Sequence, residues 1–490
     1  MKILKFGGTS VANAQNIKLV LDIVQNKAKD DQLVVVVSAF SKVTDLLQLA
    51  SIKAAANDES YKEIVAEIEK KHLDALKELI PVSEQSSLLS HIKRIINHLE
   101  TLLDGCFLLG ELSPRTTDTI LSFGELLSSY IIAEAMKQNL KNSGYKDSRE
   151  LIKTNDNFGK AAVNFEITNQ LIKDYFATNP AQVVVMPGFI ASTLDGINTT
   201  LGRGGSDYTA AIIAGALDAK DLEIWTDVNG MFTANPKIVK QAQPIATISY
   251  QEAMELSHFG AKVLYPPTIQ PVLRKNIPIL IKNTFEPEAE GTYISNEITS
   301  QSNPVKGISH IDNITLITLE GPGMIGVAGS SKRLFEVLSQ VHINVIFITQ
   351  ASSEHSICIG ILNSDAANAE QAINKAFEIE ILQNKIEPCI VEQNLCIIAL
   401  VGENMKNHQG LSGRMFSTLG KNNVNIRAIA QGASERNISA VINERDVKKA
   451  LNTLHETFFE ENTKQLNLFV MGVGNVGEKF IEQIHQQKKY

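Results

Sequence analysis

Two glycine turns far apart in the chain carry the residues best suited to bind anions. The first is Lys5-Phe6-Gly7-Gly8-Thr9-Ser10, and the second is Gly202-Arg203-Gly204-Gly205-Ser206-Asp207. Adjacent glycines leave backbone N–H groups unshielded, and a helix that starts after such a turn adds oriented dipoles, so the combination favours phosphate binding. Lysine supplies a compact charge for phosphate oxygens, whereas a planar guanidinium suits a carboxylate. The chain therefore places candidate phosphate and carboxylate sites on separate turns.

The segments around these turns alternate between strand and helix patterns. Residues 33–40 (LVVVVSAF) form a continuous apolar run, which is typical of a strand buried on both faces of a sheet. We predict strands at 1–8, 33–40, 183–189 and 222–226, and helices at 11–29, 61–112 with a break near Pro81, 122–137 and 207–217. This alternation predicts an α/β sandwich around a mainly parallel sheet.

The second half of the chain repeats itself. Residues 344–361 read NVIFITQASSEHSICIGI and residues 425–442 read NIRAIAQGASERNISAVI, so that Gln350 aligns with Gln431. Helical patterns precede and follow each copy, which predicts two βαββαβ units. The units could be purely structural domains. The matching Gln and Ser-Glu at strand ends favour a pair of ligand sensors, because core packing does not require polar residues there.

Composition limits the classes of function. The chain has 490 residues, a formal net charge of −8 and 44% hydrophobic residues, as expected of a globular protein with about three domains. The sequence lacks a basic stripe of the kind that binds nucleic acids, and none of its apolar runs approaches the length of a membrane span. The four cysteines are scattered, without metal-ligand or disulfide spacing, so we expect a cytoplasmic protein.

Five motifs in order resemble those of the aspartate kinase family. They are KFGGTS at 5–10, SFGELLS at 122–128, LGRGGSD at 201–207, WTDVNGMFTANP at 225–236 and HFGAKVLYPPT at 258–268. The repeated units resemble ACT regulatory domains, and FITQASSE and AIAQGASE resemble the threonine-sensitive type that is joined to homoserine dehydrogenase. Five ordered motifs are far more specific than any one of them. The resemblance implies an amino-acid-kinase three-layer sandwich with a mainly parallel sheet, followed by two ferredoxin-like ACT domains.

The same resemblance implies the domain boundaries. We expect a kinase domain at 1–295, a polar linker at 296–312, ACT domains at 313–392 and 393–463, and the start of a dinucleotide-binding homoserine dehydrogenase domain at 464–490. The run LNLFVMGVGNVG at 466–477 resembles the strand and glycine turn of such a domain, although LNLFVMG could instead close the last ACT sheet. Because the chain stops at Tyr490, we expect a truncated domain without a functional NAD(P) site.

The reaction that the resemblance implies moves the γ-phosphoryl group of ATP to the β-carboxylate of L-aspartate, giving 4-phospho-L-aspartate. Both reactants are anionic, so the site must neutralise charge and hold them in line. Lys5 and Asp207 resemble the catalytic pair, with Lys5 on the ATP phosphates. The other residues that resemble the nucleotide site are Gly7, Gly8, Ser10, Thr226, Asp227, Phe232, Lys237 and Lys262. We expect Mg²⁺ to enter the site bound to ATP. The sequence contains no cluster of carboxylates that would predict a separate metal site.

Two of these positions depart from the family pattern. Phe232 stands where members usually have tyrosine, which keeps a stacking ring and loses a hydroxyl group. Lys237 stands where many members have arginine, which keeps the charge and loses the bidentate fork. The ATP contact of Lys237 is therefore open.

The resemblance also assigns the aspartate site. Arg203 would bind the α-carboxylate and Glu125 the ammonium group of the substrate. The residues that complete this site are Ser38, Thr44 in the loop after it, Gly204 and Ser206. From the residues alone, Glu125 stands in an apolar helical run and needs a cation, which could equally be Arg115. Ser38 and Asp207 could also act as helix caps.

Gln350 and Gln431 are the candidate contacts to a threonine effector, because an amide both donates to and accepts from a hydroxyl group. We therefore predict a threonine-inhibited aspartate kinase that forms a homodimer or larger homo-oligomer. The alternatives are another kinase, acting on acetylglutamate or glutamate, and a non-catalytic amino-acid sensor. Glu125 and Arg203, which fit a free amine and a free α-carboxylate, argue against the first alternative. The presence of Lys5 and Asp207 argues against the second.

Overall fold

The computed structural model describes residues 1–258, 264–296, 303–325, 327, 329–350, 355–431, 436–460, 472 and 474–487. The strands are β1 Lys2–Phe6, β2 Leu33–Val37, β3 Ser143–Tyr145, β4 Val183–Pro187, β5 Ile190–Ser192, β6 Asn198–Thr200, β7 Leu222–Thr226, β8 Thr247–Ile248, β9 Ile279–Asn283, β10 Thr292–Ile294, β11 Gly307–Glu320, β12 Phe347–Gln350, β13 Ser356–Leu362, β14 Ile390–Val401, β15 Ile426–Gln431 and β16 Asn437–Asn443. The helices are α1 Ala14–Lys27, α2 Val43–Ala55, α3 Tyr61–Leu79, α4 Val82–Leu109, α5 Pro114–Asn139, α6 Ser148–Leu151, α7 Phe165–Thr178, α8 Gly205–Ala216, α9 Tyr250–His258, α10 Gln270–Leu273, α11 Ser330–Gln340, α12 Ala366–Ala376, α13 Glu378–Leu382, α14 Leu411–Lys421, α15 Val447–Phe459 and α16 Asn475–Gln487. Within the described ranges, none of these helices combines the length and apolar character needed to cross a membrane.

A mainly parallel sheet of eight strands forms the middle layer of the first half. Its order is β3-β4-β2-β1-β7-β9-β10-β8, and β9–β10 is antiparallel. Every residue of β2 is buried, as predicted for a strand covered on both faces. Because side chains alternate along a strand, Val34 packs in the core under α8, whereas Val35 packs in the core under α1, α2 and α5. The predicted three-layer sandwich with a mainly parallel sheet is confirmed.

The order in which strands are added to the sheet reverses at β1. β1 pairs in parallel with β2 on one side and with β7 on the other. In open α/β sheets, ligands bind in the crevice outside the carboxyl ends of the strands at such a switch point. The residues that follow β1, β2 and β7 are Gly7, Ser38 and Asp227. Residues from three predicted site segments therefore lie at one edge of the sheet.

Several helix starts differ from the sequence-based prediction; α5 begins at Pro114 rather than at residue 122, and α8 at Gly205 rather than at residue 207. α1 begins at Ala14 rather than at residue 11, because the Asn13 side chain accepts a hydrogen bond from the Asn16 N–H and caps the helix there. α2 begins at Val43, so Thr44, which we expected in a loop, lies in the first helical turn. The break near Pro81 is confirmed by the end of α3 and the start of α4.

The two repeated units share one antiparallel six-stranded sheet. Its order is β12-β13-β11-β14-β16-β15, with the long strands β11 and β14 at the centre. Residues 314–320 of β11 pair with β13 in the first unit, and residues 395–401 of β14 pair with β16 in the second. Helices α11 and α12 belong to the first unit, and α14 and α15 to the second. The prediction of two ferredoxin-like units is confirmed.

Part of the expected linker is instead a strand. Residues 307–311 pair with residues 397–401 and supply the fourth strand of the second unit. Ile308 is buried in the core of that unit. The linker expected at 296–312 is therefore wrong in its last part, because a polar composition does not exclude a strand whose partner lies far downstream.

The segment 464–490 is described only in part. Gly472 has φ +99, and α16 begins at Asn475. Residues 461–471, which carry all but the last residue of the predicted strand LNLFVMG, and residue 473 lie outside the described residues.

Candidate active site

The two predicted catalytic residues lie in contact. Lys5 projects from β1 and Asp207 from the first turn of α8, and Lys5 Nζ lies 2.6 Å from Asp207 Oδ1. Their side chains are only 12% and 14% exposed, so solvent screens this ion pair weakly. A Cβ atom on Gly7 would lie 3.5 Å from Lys5 Nζ. The ammonium group is therefore held beside the backbone of the first glycine turn.

The first glycine turn is pressed against neighbouring strands but does not start a helix. The Gly7 N–H donates to the Trp225 carbonyl at 3.2 Å. A Cβ atom on Gly8 would lie 3.1 Å from the Ala39 carbonyl oxygen, so a larger residue would crowd the backbone that follows β2. Because α1 begins only at Ala14, the helix start expected directly after this turn is wrong.

The sequence predicts that the hydroxyl groups of Ser10, Ser38 and Thr44 belong to the site, but their surroundings differ. Ser10 is fully buried, and its hydroxyl group lies 2.7 Å from Thr284 Oγ1, so it links two strand ends inside the protein. Ser38 follows β2 and is partly exposed, and its carbonyl accepts from Ser128 Oγ at 2.8 Å. Thr44 is partly exposed at the start of α2. Ser38 and Thr44 thus remain accessible to a ligand, whereas Ser10 faces the interior.

The second glycine turn does start a helix. Gly204 has φ +70 and precedes α8, whose first residue is Gly205 and which has no side-chain cap. A Cβ atom on Gly205 would lie 2.6 Å from the Phe189 ring, so both positions require glycine. The exposed Arg203 guanidinium lies 5.7 Å from the Tyr265 ring centroid and forms no ion pair with any described residue. The second glycine turn therefore carries both backbone N–H groups and the Arg203 guanidinium, which can bind an anion.

The carboxyl end of β4 presses against this helix start. Ser206 is buried, and a Cβ atom on Gly188 would lie 2.6 Å from the Ser206 Cβ. The next residue, Phe189, has φ +66, and its N–H donates to Thr209 Oγ1 at 3.0 Å. A bulky residue in this conformation carries strain of about 1–3 kcal/mol, which is typical of segments fixed by a functional site.

Glu125 is a carboxyl group buried in α5. Its side chain is 3% exposed, and burial raises the pKa of Glu125 to about 8, although a hydrogen bond from the Ala39 backbone acts in the opposite direction. Its Oε2 has no hydrogen-bond partner among the residues that the structure describes. Within the described ranges, neither Arg115 nor another cation forms an ion pair with it, so the salt bridge that we considered is not formed. α5 approaches Ala39 closely here, since a Cβ atom on Gly124 would lie 2.9 Å from the Ala39 Cβ.

Sequence reasoning missed a second buried acid on the same helix. Asp118 is 1% exposed and accepts hydrogen bonds from the Gly159 N–H, the Thr200 N–H and the Thr200 hydroxyl at 2.8–3.0 Å. A Cβ atom on Gly202 would lie 3.1 Å from the Gly159 carbonyl, so Asp118 fixes the loop on which the second glycine turn rests. Its spacing of seven residues from Glu125 places both acids on one helical face, which is the signal that could have identified it.

The expected nucleotide residues lie beside the end of β7. Thr226 is the last residue of that strand, and its hydroxyl donates to Asp227 Oδ1 at 3.2 Å. Phe232 is partly exposed and forms a β-bridge with Pro244, and Lys237 is exposed. Their role in binding ATP stays a prediction.

Two further expectations concern Lys262 and metals. Lys262 lies outside the described residues, which resume at Leu264. Among the residues that the structure does describe, no group of three or more His, Cys, Asp or Glu side chains could hold a metal ion.

The candidate effector residues lie at corresponding strand ends. Gln350 ends β12 and Gln431 ends β15, the two outer strands of the second sheet, and both are exposed. Gln431 Oε1 accepts from the Ser412 hydroxyl at 3.1 Å, in the first turn of α14. The Ser-Glu pairs at 353–354 and 434–435 lie outside the described residues.

Comparisons with known proteins agree with this architecture. The model of the amino acid kinase family matches residues 1–283, and an ACT domain model matches residues 317–377 and 398–458. The chain is 37% identical over 489 residues to bifunctional aspartokinase/homoserine dehydrogenase 2, chloroplastic, of Arabidopsis thaliana, covering 99% of this chain and 53% of that protein. The chain thus spans about half the length of that curated relative.

Two solved structures share the fold. E. coli aspartokinase III in complex with aspartate and ADP (R-state) is 30% identical, with a TM-score of 0.79, and the match covers 94% of this chain and 100% of that one. The same enzyme in complex with lysine and aspartate (T-state) is 31% identical, with a TM-score of 0.75 and the same coverage.

The buried carboxyl group of Glu125 predicts a pH-dependent stability. In the unfolded chain it ionises near pH 4.5, whereas in the folded protein it stays protonated up to about pH 8. The folded state therefore binds one more proton across this window, so stability falls as the pH rises through it. Glu125→Gln cannot ionise, so its stability relative to the wild type should rise between pH 5 and pH 8.5, by an amount on the order of a few kcal/mol.

Urea unfolding of both proteins without ligands at the two pH values measures this difference. Glu134→Gln, which replaces a partly exposed acid of the same helix that already pairs with Lys137, is the matched control and should show little pH dependence. A stability difference between Glu125→Gln and wild type that does not change with pH would contradict the assignment of an uncompensated buried acid.

Proposed function

The chain belongs to the amino acid kinase family, among the aspartokinases, and from that premise we propose that it phosphorylates the β-carboxylate of L-aspartate with ATP. The product would be 4-phospho-L-aspartate, the first intermediate on the route to lysine, threonine and methionine. The observation that carries this proposal is the Lys5–Asp207 contact of 2.6 Å, because it brings the two glycine turns together at the carboxyl edge of the sheet. One turn then serves the phosphates and the other serves the substrate carboxylate.

In this proposal, charge recognition selects aspartate. The exposed Arg203 guanidinium binds the α-carboxylate through two parallel hydrogen bonds. The carboxyl group of Glu125, which pairs with no cation in the described part of the chain, ionises when the substrate ammonium arrives and pairs with it. Ser38, Thr44, Gly204 and Ser206 complete the site. A free amine and a free α-carboxylate are thus both required, which disfavours acetylglutamate.

In the chemical step, the protein must neutralise negative charge rather than supply a group that bonds covalently to the substrate. Lys5 bridges the phosphate oxygens as charge accumulates there, and Asp207 holds the ammonium in place through their contact. MgATP enters as the substrate complex, with Mg²⁺ held by phosphates and water. We assign Gly7 and Gly8 to the phosphates, and Thr226, Asp227 and Phe232 to the nucleoside. Lys237 and Lys262 provide further positive charge, whereas Ser10, being buried, supports the turn from within.

A direct assay tests the proposed reaction. The purified chain is incubated with MgATP, L-aspartate and hydroxylamine, which converts an acyl phosphate to a coloured hydroxamate. We expect hydroxamate only when both ATP and L-aspartate are present, and none with acetylglutamate or glutamate. Preference for another acid, or ADP formation without hydroxamate, would overturn the proposal. Effector binding without any turnover would instead indicate a sensor.

Arg203→Lys should raise the KM for aspartate by about tenfold to a hundredfold, because a point charge cannot replace a bidentate clamp. The KM for ATP should stay within about twofold of wild type. Steady-state kinetics with each substrate varied in turn measures both constants, with the exposed Arg94→Lys as a control far from the glycine turns. If ATP affinity falls while aspartate affinity holds, the two turns have been assigned to the wrong ligands.

We propose threonine as the inhibitory effector of the repeated units. Gln350 and Gln431 occupy equivalent positions, and each is accompanied by a helix that starts after a glycine in the left-handed region, Gly329 for α11 and Gly410 for α14. Neither helix has a side-chain cap, so backbone N–H groups are available for a carboxylate. An amide beside a free helix start suits an amino acid that bears a hydroxyl group.

Inhibition requires threonine to prefer a less active conformation, with a coupling of roughly 1–3 kcal/mol. Gln350→Ala and Gln431→Ala should therefore each weaken inhibition while uninhibited turnover stays nearly unchanged. Titration of wild type and both variants with threonine, lysine and methionine measures this, with Gln340→Ala at the far end of α11 as the control. Strong lysine inhibition without a threonine response would assign the units to the other regulatory class.

We also propose that the chain forms a homo-oligomer in the cytoplasm. The outer strands β12 and β15 lie close to each other and carry exposed Ile348 and Ile429, which form an apolar surface that a second copy would cover. Sedimentation velocity of the chain would contradict this if it showed monomers alone at micromolar concentration. We propose the cytoplasm because the four cysteines are scattered and show no disulfide spacing. The plant relative is described as chloroplastic.

A further inference from the structure

The segment 231–245, here called the nucleotide loop, is fixed by its own backbone. It follows β7 and carries Phe232 of the proposed ATP site. The Thr233 N–H donates to the Gln243 carbonyl at 2.9 Å, and the Gln243 N–H donates to Thr233 Oγ1 at 3.0 Å. The two sides of the loop therefore meet at Thr233, the residue directly after Phe232.

The side of the nucleotide loop that carries Ala234 and Val239 is part of the core of the second repeated unit. Ala234 and Val239 are 3% and 1% exposed. They pack in one cluster with Leu451, Leu454 and Phe458 of α15. A loop of the proposed catalytic domain thus shares its apolar core with a regulatory helix, so a shift of that helix must move the loop or open a cavity.

Thr233 makes polar contacts across this boundary, in addition to the hydrogen bond from Asn452 of α15 to the Ile238 carbonyl at 3.3 Å. The Thr233 carbonyl accepts from the Ile308 N–H at 2.7 Å, in the strand that completes the second unit. Its hydroxyl group lies 2.9 Å from Nε2 of His455 in α15, although 222 residues separate the two in sequence. One residue of the loop is therefore bonded to both a strand and a helix of the regulatory sheet.

The surroundings of His455 hold its ring in place. Its side chain is 1% exposed, its ring stacks on Phe459, and Nδ1 faces Glu460 Oε1 at 3.7 Å. Burial lowers the pKa of His455, which favours the neutral ring. Thr233 Oγ1 accepts from the Gln243 N–H and also lies at hydrogen-bond distance from Nε2, where the ring tautomer determines which atom donates.

We propose that His455 is a positioning residue for the kinase reaction, which acts through Thr233 to hold the nucleotide loop, and Phe232 with it, in the conformation that binds ATP. The inference rests on the proposed function, because it takes Phe232 as a contact of ATP. It deepens that function by assigning control of nucleotide affinity to the second unit. α15 packs on α14 through Thr457 and Thr418, and the first turn of α14 contacts Gln431, so a proposed effector site lies on the same pair of helices.

The test uses Thr233→Val, which keeps the shape of the side chain and removes the hydroxyl group. The expected result is a KM for ATP, and a calorimetric dissociation constant for ADP, raised by about tenfold, since the buried hydrogen bonds of the hydroxyl group with His455 and Gln243 are both lost. The KM for aspartate should stay within about twofold. Thr233→Ser keeps the hydroxyl group and should restore wild-type values. Thr457→Val, the same change on α15 without a contact to the loop, should leave ADP binding unchanged.

A second substitution tests whether the effect runs through His455. His455→Phe keeps an aromatic ring beside Phe459 and removes Nε2. If the two residues act through their contact, the double variant should bind ADP no more weakly than either single variant. Additive losses would overturn the proposal, as would an unchanged ADP affinity in Thr233→Val.

The outcomes separate this inference from the proposed function. If the wild type makes no hydroxamate from aspartate, the proposed function fails, but ADP calorimetry can still test the loop. If the wild type is active and Thr233→Val raises both KM values equally, His455 has only a structural role and the inference fails. A lowered unfolding temperature in Thr233→Val that Thr233→Ser shares would also assign a structural role.

Discussion

The contact between Lys5 and Asp207 is the constraint on which the rest of the site depends. It joins the first strand of the sheet to a helix that begins about two hundred residues later, and it forms only because parallel strands bring their carboxyl ends to one edge. Phosphoryl transfer between two anions needs fixed positive charge at that edge. A lysine held by a carboxylate at 2.6 Å supplies such a charge without reorganisation during the reaction.

Two buried acids on α5 show how the surroundings separate a structural role from a functional one. Asp118 accepts hydrogen bonds from Gly159 and Thr200 on both oxygens, so its charge is satisfied within the protein. Glu125, two turns later on the same face, has an oxygen that forms no hydrogen bond with any described residue. An unsatisfied buried carboxyl group lowers the stability of the free protein, and such a group is retained where a ligand completes it.

The sequence predicts much of the fold because its signals are local. Unbroken apolar runs such as that of β2 identify buried strands, and the repeat around Gln350 and Gln431 identifies two equal units. Features that depend on distant partners were missed. Residues 307–311 become a strand only because β14 lies beside them, and Ser10 is turned inward only because Thr284 is its neighbour. The Thr233–His455 contact has no signal in either local sequence.

The central claim is that Lys5 stabilises charge that develops during phosphoryl transfer. Its most direct test is single-turnover kinetics of Lys5→Ala with saturating MgATP and aspartate. We compare it with Lys2→Ala, which removes a lysine from the same strand that pairs instead with Asp221. We expect the rate of phosphoryl transfer to fall by about 100-fold to 1,000-fold in Lys5→Ala, with aspartate affinity nearly unchanged, whereas Lys2→Ala keeps the wild-type rate. An unchanged rate in Lys5→Ala would contradict the account.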